Sequence, residues 1–334
     1  MTHPLPRRIT SSDVAQLAQV SRSAVSRTFT AGASVAPHTR QRVLAAAAEL
    51  GYRPASARAD RPVAVVMANV LSPYFAELSD RLGAELAGRG LRTLFFISSD
   101  PARIDDLVRN AIAADAGGII LFSAVPSRVV LAEARSNDLP IVILDRNERV
   151  ENASLVWIDS AEIGRTVATR MLAEGRRRPA VIATASDRSR ELKAFADTMN
   201  AAGTGPCRWI DTGWSYADGV EAAARMLAGE DVPDAVFAAS DAVAIGVLDG
   251  IRRDSRLTVP GDMSIIGFGD TAPSNWLSHQ LSTVHIPVVA LIQTAVSTLM
   301  ARMASTGTPA PRIWLSCDLV ERGTSLGLDD AISG

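Results

Sequence analysis

The sequence has few of the residues that cross-link small domains or bind metal ions. Its two cysteines, Cys207 and Cys317, lie 110 positions apart and outside any CxxC pair, and its four histidines are scattered along the chain. Small secreted domains carry dense cysteine frameworks, and zinc sites carry closely spaced Cys and His ligands. We therefore expect neither a disulfide scaffold nor a metal site.

Long apolar runs are also missing. No segment approaches the run of about 20 apolar residues that a membrane span requires. Residues 1–10 contain Arg7 and Arg8, but no apolar stretch or small-residue cleavage site follows them, so they do not resemble a secretion signal. We expect a cytoplasmic protein with no membrane partner.

Motifs of catalysis and cofactor binding are absent as well. The sequence has no G-x-S-x-G elbow, no G-x-x-x-x-G-K-[ST] loop and no H-E-x-x-H pair, and the glycines at 267–269 lack the third glycine of a dinucleotide fingerprint. His279 and His285 flank a predicted Leu-Ser-Thr-Val strand at 281–284 and suit turn and strand-end positions better than metal ligation. Arg176-Arg177-Arg178 is interpreted as a solvated charge run at a helix end. We therefore expect no enzyme activity and no cofactor.

Charge is distributed unevenly over the 334 residues, a length that predicts about two or three domains. Residues 1–61 carry nine arginines against Asp13, Glu49 and Asp60, a net charge of +6, so the remainder carries −8 of the total of −2. Because arginine contacts with phosphates release counterions, this asymmetry is expected when only the first part binds a polyanion. On charge alone, an ordinary solvated surface explains it equally well.

The pattern over residues 10–50 predicts three short helices. They run from a Thr10 cap to about residue 19, from a Ser21 cap to about residue 30, and from Pro37 to about residue 50. In the first helix, Val14, Leu17 and Ala18 are predicted to form the buried face. The order is that of a helix-turn-helix followed by a bracing helix.

The second helix has one apolar and one polar side. Val25 and Phe29 lie four residues apart and are expected to face the core. The residues expected to point outward are Arg22, Ser23, Ser26 and Arg27. Such a helix fits the major groove, where arginine pairs with guanine and capping serines contact phosphates. The alternative is a small helical subdomain with a hydrated polar face.

Eight short motifs in this region carry a family resemblance. They are Ile9-Thr10, Asp13-Val14-Ala15, Val20-Ser21, Val25-Ser26-Arg27, Val35, Thr39-Arg40, Val43 and residues 48–54. Together they resemble the DNA-binding domain of the lactose-repressor/galactose-repressor family of bacterial transcription regulators. The resemblance implies that Arg22 and Ser23 set base specificity. It also implies that Ser21, Ser26, Arg27 and Thr39 contact phosphates or bases of a double-stranded operator, bound by a homodimer. Thr10 and Arg58 complete the predicted contact set.

Residues 54–62 form a short linker after the predicted DNA-binding domain at 1–53. Family members usually continue into a hinge that ends Ala-Arg-x-Leu, whose leucine wedges into the minor groove. Here Ala57-Arg58-Ala59-Asp60 places an aspartate at that position, and the segment is about four residues short. A carboxylate enters stacked bases only at large desolvation and repulsion costs. We therefore expect little intercalation and less DNA bending than the family norm.

From residue 63 onward, short apolar runs alternate with amphipathic, alanine-rich stretches. The predicted strands are 63–68, 92–97, 118–122, 141–144, 155–158, 180–184, 235–239 and 264–268. Apolar strands separated by helices are typical of parallel sheets, and this many predict two doubly wound subdomains with ligand at the carboxyl ends of the strands. The resemblance extends over nearly the whole chain. It implies an α/β periplasmic-binding-protein-like type I clamshell at 63–334, with subdomains at about 63–157 plus 285–313 and about 158–284 plus 314–328.

Residues at the strand ends are the predicted effector contacts. They are Tyr74, Phe75, Ser123, Asp145, Arg190, Trp214, Ser240 and Asp270. Tyr74 and Phe75 would stack on a sugar or base face, with core packing as the alternative. Asp145 would be a buried acceptor or the partner of Arg146, and Trp214 would contact ligand or act as a hydrophobic staple for the next helix.

Several of these positions depart from the family pattern. Ser240 replaces a common Asn, Gly269 replaces the first carboxylate of a common Asp-Asp pair, and Glu191 stands where Arg is expected, beside Arg190. Unpaired buried polar groups penalise a wrong ligand by about 1–3 kcal/mol each. The effector is therefore expected to be a sugar, another polyol, a nucleoside-like molecule or a smaller metabolite.

Three functional classes follow from these features. A ligand-responsive repressor uses both the basic head and the clamshell. A transport binding protein would use the clamshell alone, and it conflicts with the absence of a signal peptide. A cytoplasmic sugar-binding protein or enzyme on the same fold would need converging acid, base or nucleophilic groups, which the sequence does not assemble. The repressor is the favoured prediction.

Overall fold

A computed structural model describes residues 11–29, 33–50, 61–68, 73–122, 124–146, 148–185, 189–229, 231–253, 256–304 and 310–326. Within these ranges, three helices form an amino-terminal head, and helices and strands alternate in the larger remainder. None of the helices described has both the length and the hydropathy needed to cross a bilayer.

The head consists of α1 (Ser11–Leu17), α2 (Arg22–Thr28) and α3 (Pro37–Leu50). Its core consists of small side chains: Val14, Ala15, Ala18, Val25, Val43, Ala46 and Ala47. Phe29 packs against this core, as predicted. The predicted burial of Leu17 is wrong, because its side chain is 43% exposed. At about 100° of rotation per residue, Leu17 falls on the flank of the face formed by Val14, Ala15 and Ala18.

The turn between α1 and α2 is made without glycine. Gln19 takes a left-handed backbone conformation with φ of 50°. The Val20 amide donates to the Ala15 carbonyl at 2.9 Å and closes the end of α1. Glycine takes a left-handed conformation at lower cost than glutamine. The turn therefore depends on the contacts around Gln19 more than a glycine turn would.

The first sheet has six strands in the order β11-β5-β4-β3-β1-β2. They are β1 (Val63–Ala68), β2 (Thr93–Ser98), β3 (Gly118–Phe122), β4 (Ile141–Leu144), β5 (Ala153–Ile158) and β11 (Arg312–Leu315). Strands β1 to β5 pair in parallel. The accompanying helices are α4 (Pro73–Gly88), α5 (Ile104–Ala113), α6 (Arg128–Ser136) and α11 (Val288–Ala304). The central strands β3 and β4 are buried along their whole length.

The second sheet has the order β12-β10-β9-β8-β6-β7. Its strands are β6 (Pro179–Ala183), β7 (Arg208–Asp211), β8 (Ala235–Ala238), β9 (Ser264–Gly269), β10 (Ser282–His285) and β12 (Asp318–Val320). All neighbours pair in parallel except β10 and β12. Helices α9 (Tyr216–Leu227) and α10 (Asp241–Arg253) pack on one core, and α7 (Ser160–Ala173) and α8 (Arg190–Ala201) on another. Alternate residues of β6, β8 and β9 point into the two cores, as a doubly wound sheet requires.

The structure confirms the predicted fold class, and every predicted strand is present with bounds that differ by at most two residues. Strands β7, β11 and β12 were not predicted. By its contacts the chain forms two compact units: one comprises residues 1–69, 82–156 and 292–312, the other residues 70–81, 157–291 and 313–334. The subdomain boundaries predicted above stay predictions.

A close helix contact in the second unit predicts a sensitive position. A Cβ on Gly246 of α10 would lie 2.9 Å from the Gly219 Cα and closer still to the Tyr216 carbonyl of α9. Because the obstructing atoms are backbone, Gly246→Ala should lower the free energy of unfolding by about 1–3 kcal/mol. Gly88→Ala is the control, since nothing lies within 4 Å of its added Cβ. Urea denaturation of the two variants measures the difference, and equal midpoints would contradict this packing.

Candidate nucleic-acid interface and effector-binding residues

The second helix carries most of the residues predicted to contact DNA. Ser21 is its N-cap, and the Ser21 hydroxyl accepts a hydrogen bond from the Ala24 amide at 3.2 Å. The hydroxyls of Ser21 and Ser23 lie 2.8 Å apart. On the inner side, Val25 is fully buried and the Thr28 hydroxyl donates to the Ala24 carbonyl at 2.9 Å. The orientation of α2 is therefore set by its cap and its buried face.

The outer side of α2 is polar and exposed. Ser21, Arg22, Ser23, Ser26 and Arg27 all lie at the surface. The Nε of Arg27 donates to the Ser23 carbonyl at 3.4 Å, which places the arginine stem along the helix. The structure thus brings five predicted DNA-contact residues together, with two guanidinium groups among them.

The other predicted DNA contacts lie elsewhere. Thr39 is in the first turn of α3, partly exposed, with its hydroxyl 3.2 Å from the Nε2 of His38. Thr10 and Arg58 lie outside the described residues, as does most of the 54–62 linker. Their roles stay predictions.

Two arginines that contribute to the positive charge of the head have internal partners. Arg40 donates from Nη1 to the Thr28 carbonyl at 3.0 Å, at the end of α2. Arg42 donates from Nη2 to the Ala18 carbonyl at 2.5 Å, just after α1. Charge counting could not reveal these bonds, because the acceptors are backbone atoms 12 and 24 positions away.

The predicted aromatic effector contacts are neighbours at the start of α4. Tyr74 and Phe75 are partly exposed, with ring centroids 5.7 Å apart and an interplanar angle of 67°. Edge-to-face pairs of this kind contribute about 0.5–1.5 kcal/mol. Ser123, predicted at the end of the third strand, lies outside the described residues.

Two predicted charged contacts are exposed. Asp145 follows β4 with a left-handed φ of 59°, which ends the extended strand, and its side chain lies at the surface. The expectation of a buried carboxylate at this position is therefore wrong. Arg190 is the first residue of α8, and its Nη2 lies 4.0 Å from Oδ1 of Asp159.

Trp214 precedes the cap of α9 and is partly exposed. Ser215 caps this helix in a reciprocal capping box with Asp218. A hydrophobic staple pairs the residue before the cap with the fourth helical residue, which here is Gly219. Since glycine has no side chain for the indole to pack on, the staple interpretation of Trp214 is disfavoured. Effector contact stays the prediction for this residue.

Strands β8, β9 and β10 run in parallel, and residues that follow β8 and β9 converge with Thr283 of β10 on one buried carboxylate. Ser240 caps α10, and its hydroxyl accepts from the Val243 amide at 3.3 Å. The next residue, Asp241, accepts on Oδ2 from the Thr271 amide at 2.6 Å and the Thr271 hydroxyl at 2.9 Å, and on Oδ1 from the Thr283 hydroxyl. Burial raises the pKa of the Asp241 carboxyl, and these hydrogen bonds act against the shift. Asp241 thus links the segments that follow β8 and β9 to β10.

Asp270 lies at the same edge and has three partners. Its Oδ1 accepts from Arg322 Nη2 at 2.7 Å and from the Ser274 hydroxyl at 3.2 Å, and its Oδ2 lies 2.9 Å from Nδ1 of His285. Partial burial opposes ionisation, but the hydrogen bonds from Arg322 and His285 outweigh it, so the pKa of Asp270 is lowered. Sequence reasoning missed Arg322, which no motif marks and which lies 52 positions away.

Gly269, which replaces a common carboxylate of the family, has an unusual backbone. Its φ of 132° is a conformation that residues with a side chain rarely adopt. A Cβ at this position would lie 3.5 Å from Oδ2 of Asp241, so space does not exclude a side chain. Glycine, which departs from the family pattern at position 269, is therefore the residue that best suits the backbone conformation there.

The Asp270 network predicts a pH dependence. A carboxyl whose pKa is lowered on folding stabilises the fold above its unfolded pKa of about 4, and this contribution is lost as the pH falls through the lower folded value. Asp270→Asn should remove about 1.5–3 kcal/mol at pH 7, and less below pH 4. Buried Asp241 acts in the opposite sense but is common to both proteins. Unfolding measured from pH 3 to 7 tests this, with exposed Asp197→Asn as control; a difference that does not shrink with acid would contradict it.

The expectation that residues 176–178 are a solvated charge run is wrong for Arg176. Its side chain is 8% exposed, and it donates to the Ser264 hydroxyl at 3.1 Å and the Gly261 carbonyl at 3.0 Å. Glu174, with no exposed side-chain surface, lies between Arg176 (3.6 Å) and Arg170 (3.8 Å). The arginine run was misread because nothing in its sequence distinguishes a buried guanidinium from an exposed one.

Among the residues that the structure describes, no cluster of three or more His, Cys, Asp or Glu side chains is placed to hold a metal ion. At the second sheet, Asp270 pairs with Arg322 and His285, whereas Asp241 accepts hydrogen bonds from Thr271 and Thr283.

Comparison with family models gives two matches. Residues 156–325, half of the chain, match the periplasmic binding protein-like domain, and residues 10–55 match bacterial regulatory proteins of the lacI family. The second match covers the three helices of the head, and the first covers most of the second unit together with residues 292–312 of the first.

The chain is also similar to individual transcription regulators over nearly its whole length. The chain is 28% identical to the HTH-type transcriptional repressor PurR of Histophilus somni, over 93% of this chain and 97% of the relative. Among solved structures, it is similar to a lac repressor dimer bound to operator and the anti-inducer ONPF, with TM-score 0.71, 24% identity and coverage of 96% and 99%. It is also similar to a complex of the transcriptional regulator CelR with cellobiose, with TM-score 0.68, 26% identity and coverage of 95% and 100%.

Proposed function

This chain belongs to the lacI family of bacterial regulatory proteins, and we propose that it is a repressor that binds a pseudo-palindromic operator as a homodimer and responds to a small metabolite. Two copies would place two α2 helices on half-sites related by the two-fold symmetry of the dimer. Operator DNA is in the bacterial cytoplasm, so we place the protein there.

One observation carries the proposal. The capped helix α2 presents Arg22 and Arg27 together with three serines on its exposed side, while Val25 and Thr28 hold its other side in the head. Arginine and serine at the amino end of such a helix supply guanine and phosphate contacts. A hydrated surface with no DNA-binding function would not require these arginines and serines on the exposed side of a lacI-family helix-turn-helix.

The effector is proposed to bind the periplasmic-binding-protein-like clamshell predicted at residues 63–334. The residues assigned to it are Tyr74, Phe75, Ser123, Asp145, Arg190, Trp214, Ser240 and Asp270. The similar CelR protein is in complex with cellobiose, which supports a sugar-like molecule. Asp270 already accepts from Arg322, Ser274 and His285. We therefore expect its main role to be to orient these neighbours, and we do not expect it to bind effector hydroxyls on its own.

The two binding events would be linked. A coupling free energy of about 1–3 kcal/mol between effector and operator is typical, and it must be the same in both directions. The protein would act through this coupling and not through catalysis, in keeping with the repressor PurR.

A two-stage experiment tests the proposal. Full-length protein is first used to select duplexes from a random pool, and a thermal-shift screen of sugars, polyols and nucleosides is run in parallel. Each compound that raises Tm is then titrated into the selected complex, and a change in operator affinity of about 5- to 150-fold is expected. Failure to enrich any duplex sequence would refute operator binding, and thermal hits that leave the complex unchanged would refute effector control.

A further inference from the structure

The buried core of the head consists of small side chains. The buried apolar residues between α1, α2 and α3 are valines and alanines, with Val20, Phe29 and Leu50 partly buried against them. Small side chains remove little apolar surface from water, so each contributes little to fixing one helix against another. Polar contacts between the helices therefore carry more of the orientation than in a larger core.

Two arginines of α3 supply such contacts. Arg40 donates from Nη1 to the Thr28 carbonyl at 3.0 Å and from Nη2 to the Ala33 carbonyl at 3.3 Å. It thereby joins α3 to the last residue of α2, which is the recognition helix of the proposed operator contact, and to the segment that precedes α3.

Arg42 makes the matching contact with the other helix. It donates from Nη2 to the Ala18 carbonyl at 2.5 Å and to the Gln19 carbonyl at 3.2 Å. Gln19 is the residue whose left-handed backbone makes the turn into α2. Arg42 therefore joins α3 to the turn that aims the recognition helix.

The spacing and the charge of the two residues fit this role. Residues two apart on a helix point about 200° away from each other, so Arg40 and Arg42 reach from opposite sides of α3. Their acceptors are carbonyls at the carboxyl ends of α1 and α2, where a cation is favoured by the helix dipole and by the unpaired acceptors. A guanidinium has several donors in a fixed plane, so it can hold two carbonyls at once.

We propose that Arg40 and Arg42 are positioning residues that fix the recognition helix against α3 and so set operator specificity, without contacting DNA phosphates. The inference rests on the proposed operator binding. It divides the arginines of the described head into two classes: Arg22 and Arg27 face DNA, whereas Arg40 and Arg42 hold the helix that carries them.

The salt dependence of binding separates the two classes. Each phosphate contact contributes about −0.9 to the slope of log K against log salt concentration. Arg42→Met and Arg40→Met should therefore leave the slope on a scrambled duplex unchanged. Their preference for the selected duplex over the scrambled one should fall by about tenfold or more, because each removes charge-assisted bonds that hold α2. Arg27→Met, the control, should flatten the slope by about 0.9 per protomer on both duplexes.

Arg40→Lys guards against loss of folding. Arg40 uses two different guanidinium nitrogens to reach the Thr28 and Ala33 carbonyls, and lysine keeps the charge but not this planar fork. Arg40→Lys should therefore keep non-specific binding and lose most of the preference. Circular dichroism of each full-length variant reports whether the head stays helical. If a Met variant is unfolded, the Lys variant provides the test of the inference. A flattened slope for Arg40→Met or Arg42→Met, or full preference in Arg40→Lys, would overturn the inference. Absence of duplex binding by the unaltered chain would instead refute operator binding itself.

Discussion

Replacing Arg22 with alanine is expected to weaken binding to the selected operator by about 1–3 kcal/mol per half-site. Arg22 is the first residue of α2, exposed and directly after the Ser21 cap, where a guanidinium can reach a base edge. Loss of its bidentate contact should also relax the preference for the base pair that it contacts. Binding titrations against the operator and its single-base variants measure both effects.

Arg27→Ala is the matched control on the same helix. Arg27 lies about one and a half turns further along α2, and its Nε donates to the Ser23 carbonyl. We assign it to the phosphate backbone of the DNA. It should weaken all duplexes to a similar degree and leave the base preference intact. Identical base-preference profiles for the two variants would contradict the assignment of roles.

Replacing Glu174 with alanine is expected to lower the free energy of unfolding of the second unit by about 3–5 kcal/mol. The Glu174 side chain is fully buried, and its Oε2 accepts a hydrogen bond from the Ser264 hydroxyl. It lies 3.8 Å from Nε of Arg170 and 3.6 Å from Nε of Arg176, both of which are also buried. Removing the carboxylate leaves two buried guanidinium groups with less compensating charge, although Glu321 still pairs with Arg170.

Glu162→Ala is the control for the loss of one carboxylate. Glu162 is in the first turn of α7, the helix that Glu174 caps at its carboxyl end. It pairs with Arg165 at 2.6 Å, but its side chain is 70% exposed. Exposed pairs contribute about 0–1 kcal/mol, so this variant should unfold nearly as the unaltered chain does. Calorimetry or denaturant titration compares the two, and equal losses would show that burial does not set the strength of the Glu174 network.

The regular elements were predictable because their determinants are local. Continuous apolar runs identified the eight main strands, and Ser21 and Pro37 marked the starts of α2 and α3. The short strands β7, β11 and β12 were not predicted because they are only partly buried and carry no continuous apolar run. Leu17 was misassigned because helical spacing does not say which arc of so short a helix meets its neighbours.

The sites were predictable only where residues act from one element. The polar face of α2 follows from its spacing, and the structure places all of its members at the surface. Pairs made across the fold, such as Arg322 with Asp270 and Arg42 with the Ala18 carbonyl, depend on tertiary contacts that leave no local signal. The remaining wrong predictions concern burial. Arg176 is buried and Asp145 is exposed, the reverse of what each local sequence predicted.

The salt dependence of duplex binding by the full-length protein is the most direct test of the central claim. If Arg27 of each of two copies contacts a phosphate, these two contacts alone predict a slope of log K against log salt concentration of about −1.8 or steeper. Affinity for the selected operator should then fall between 50 and 200 mM salt by roughly tenfold or more. Binding that is indifferent to salt, or no retention of any duplex at low salt, would contradict the claim that this head binds DNA.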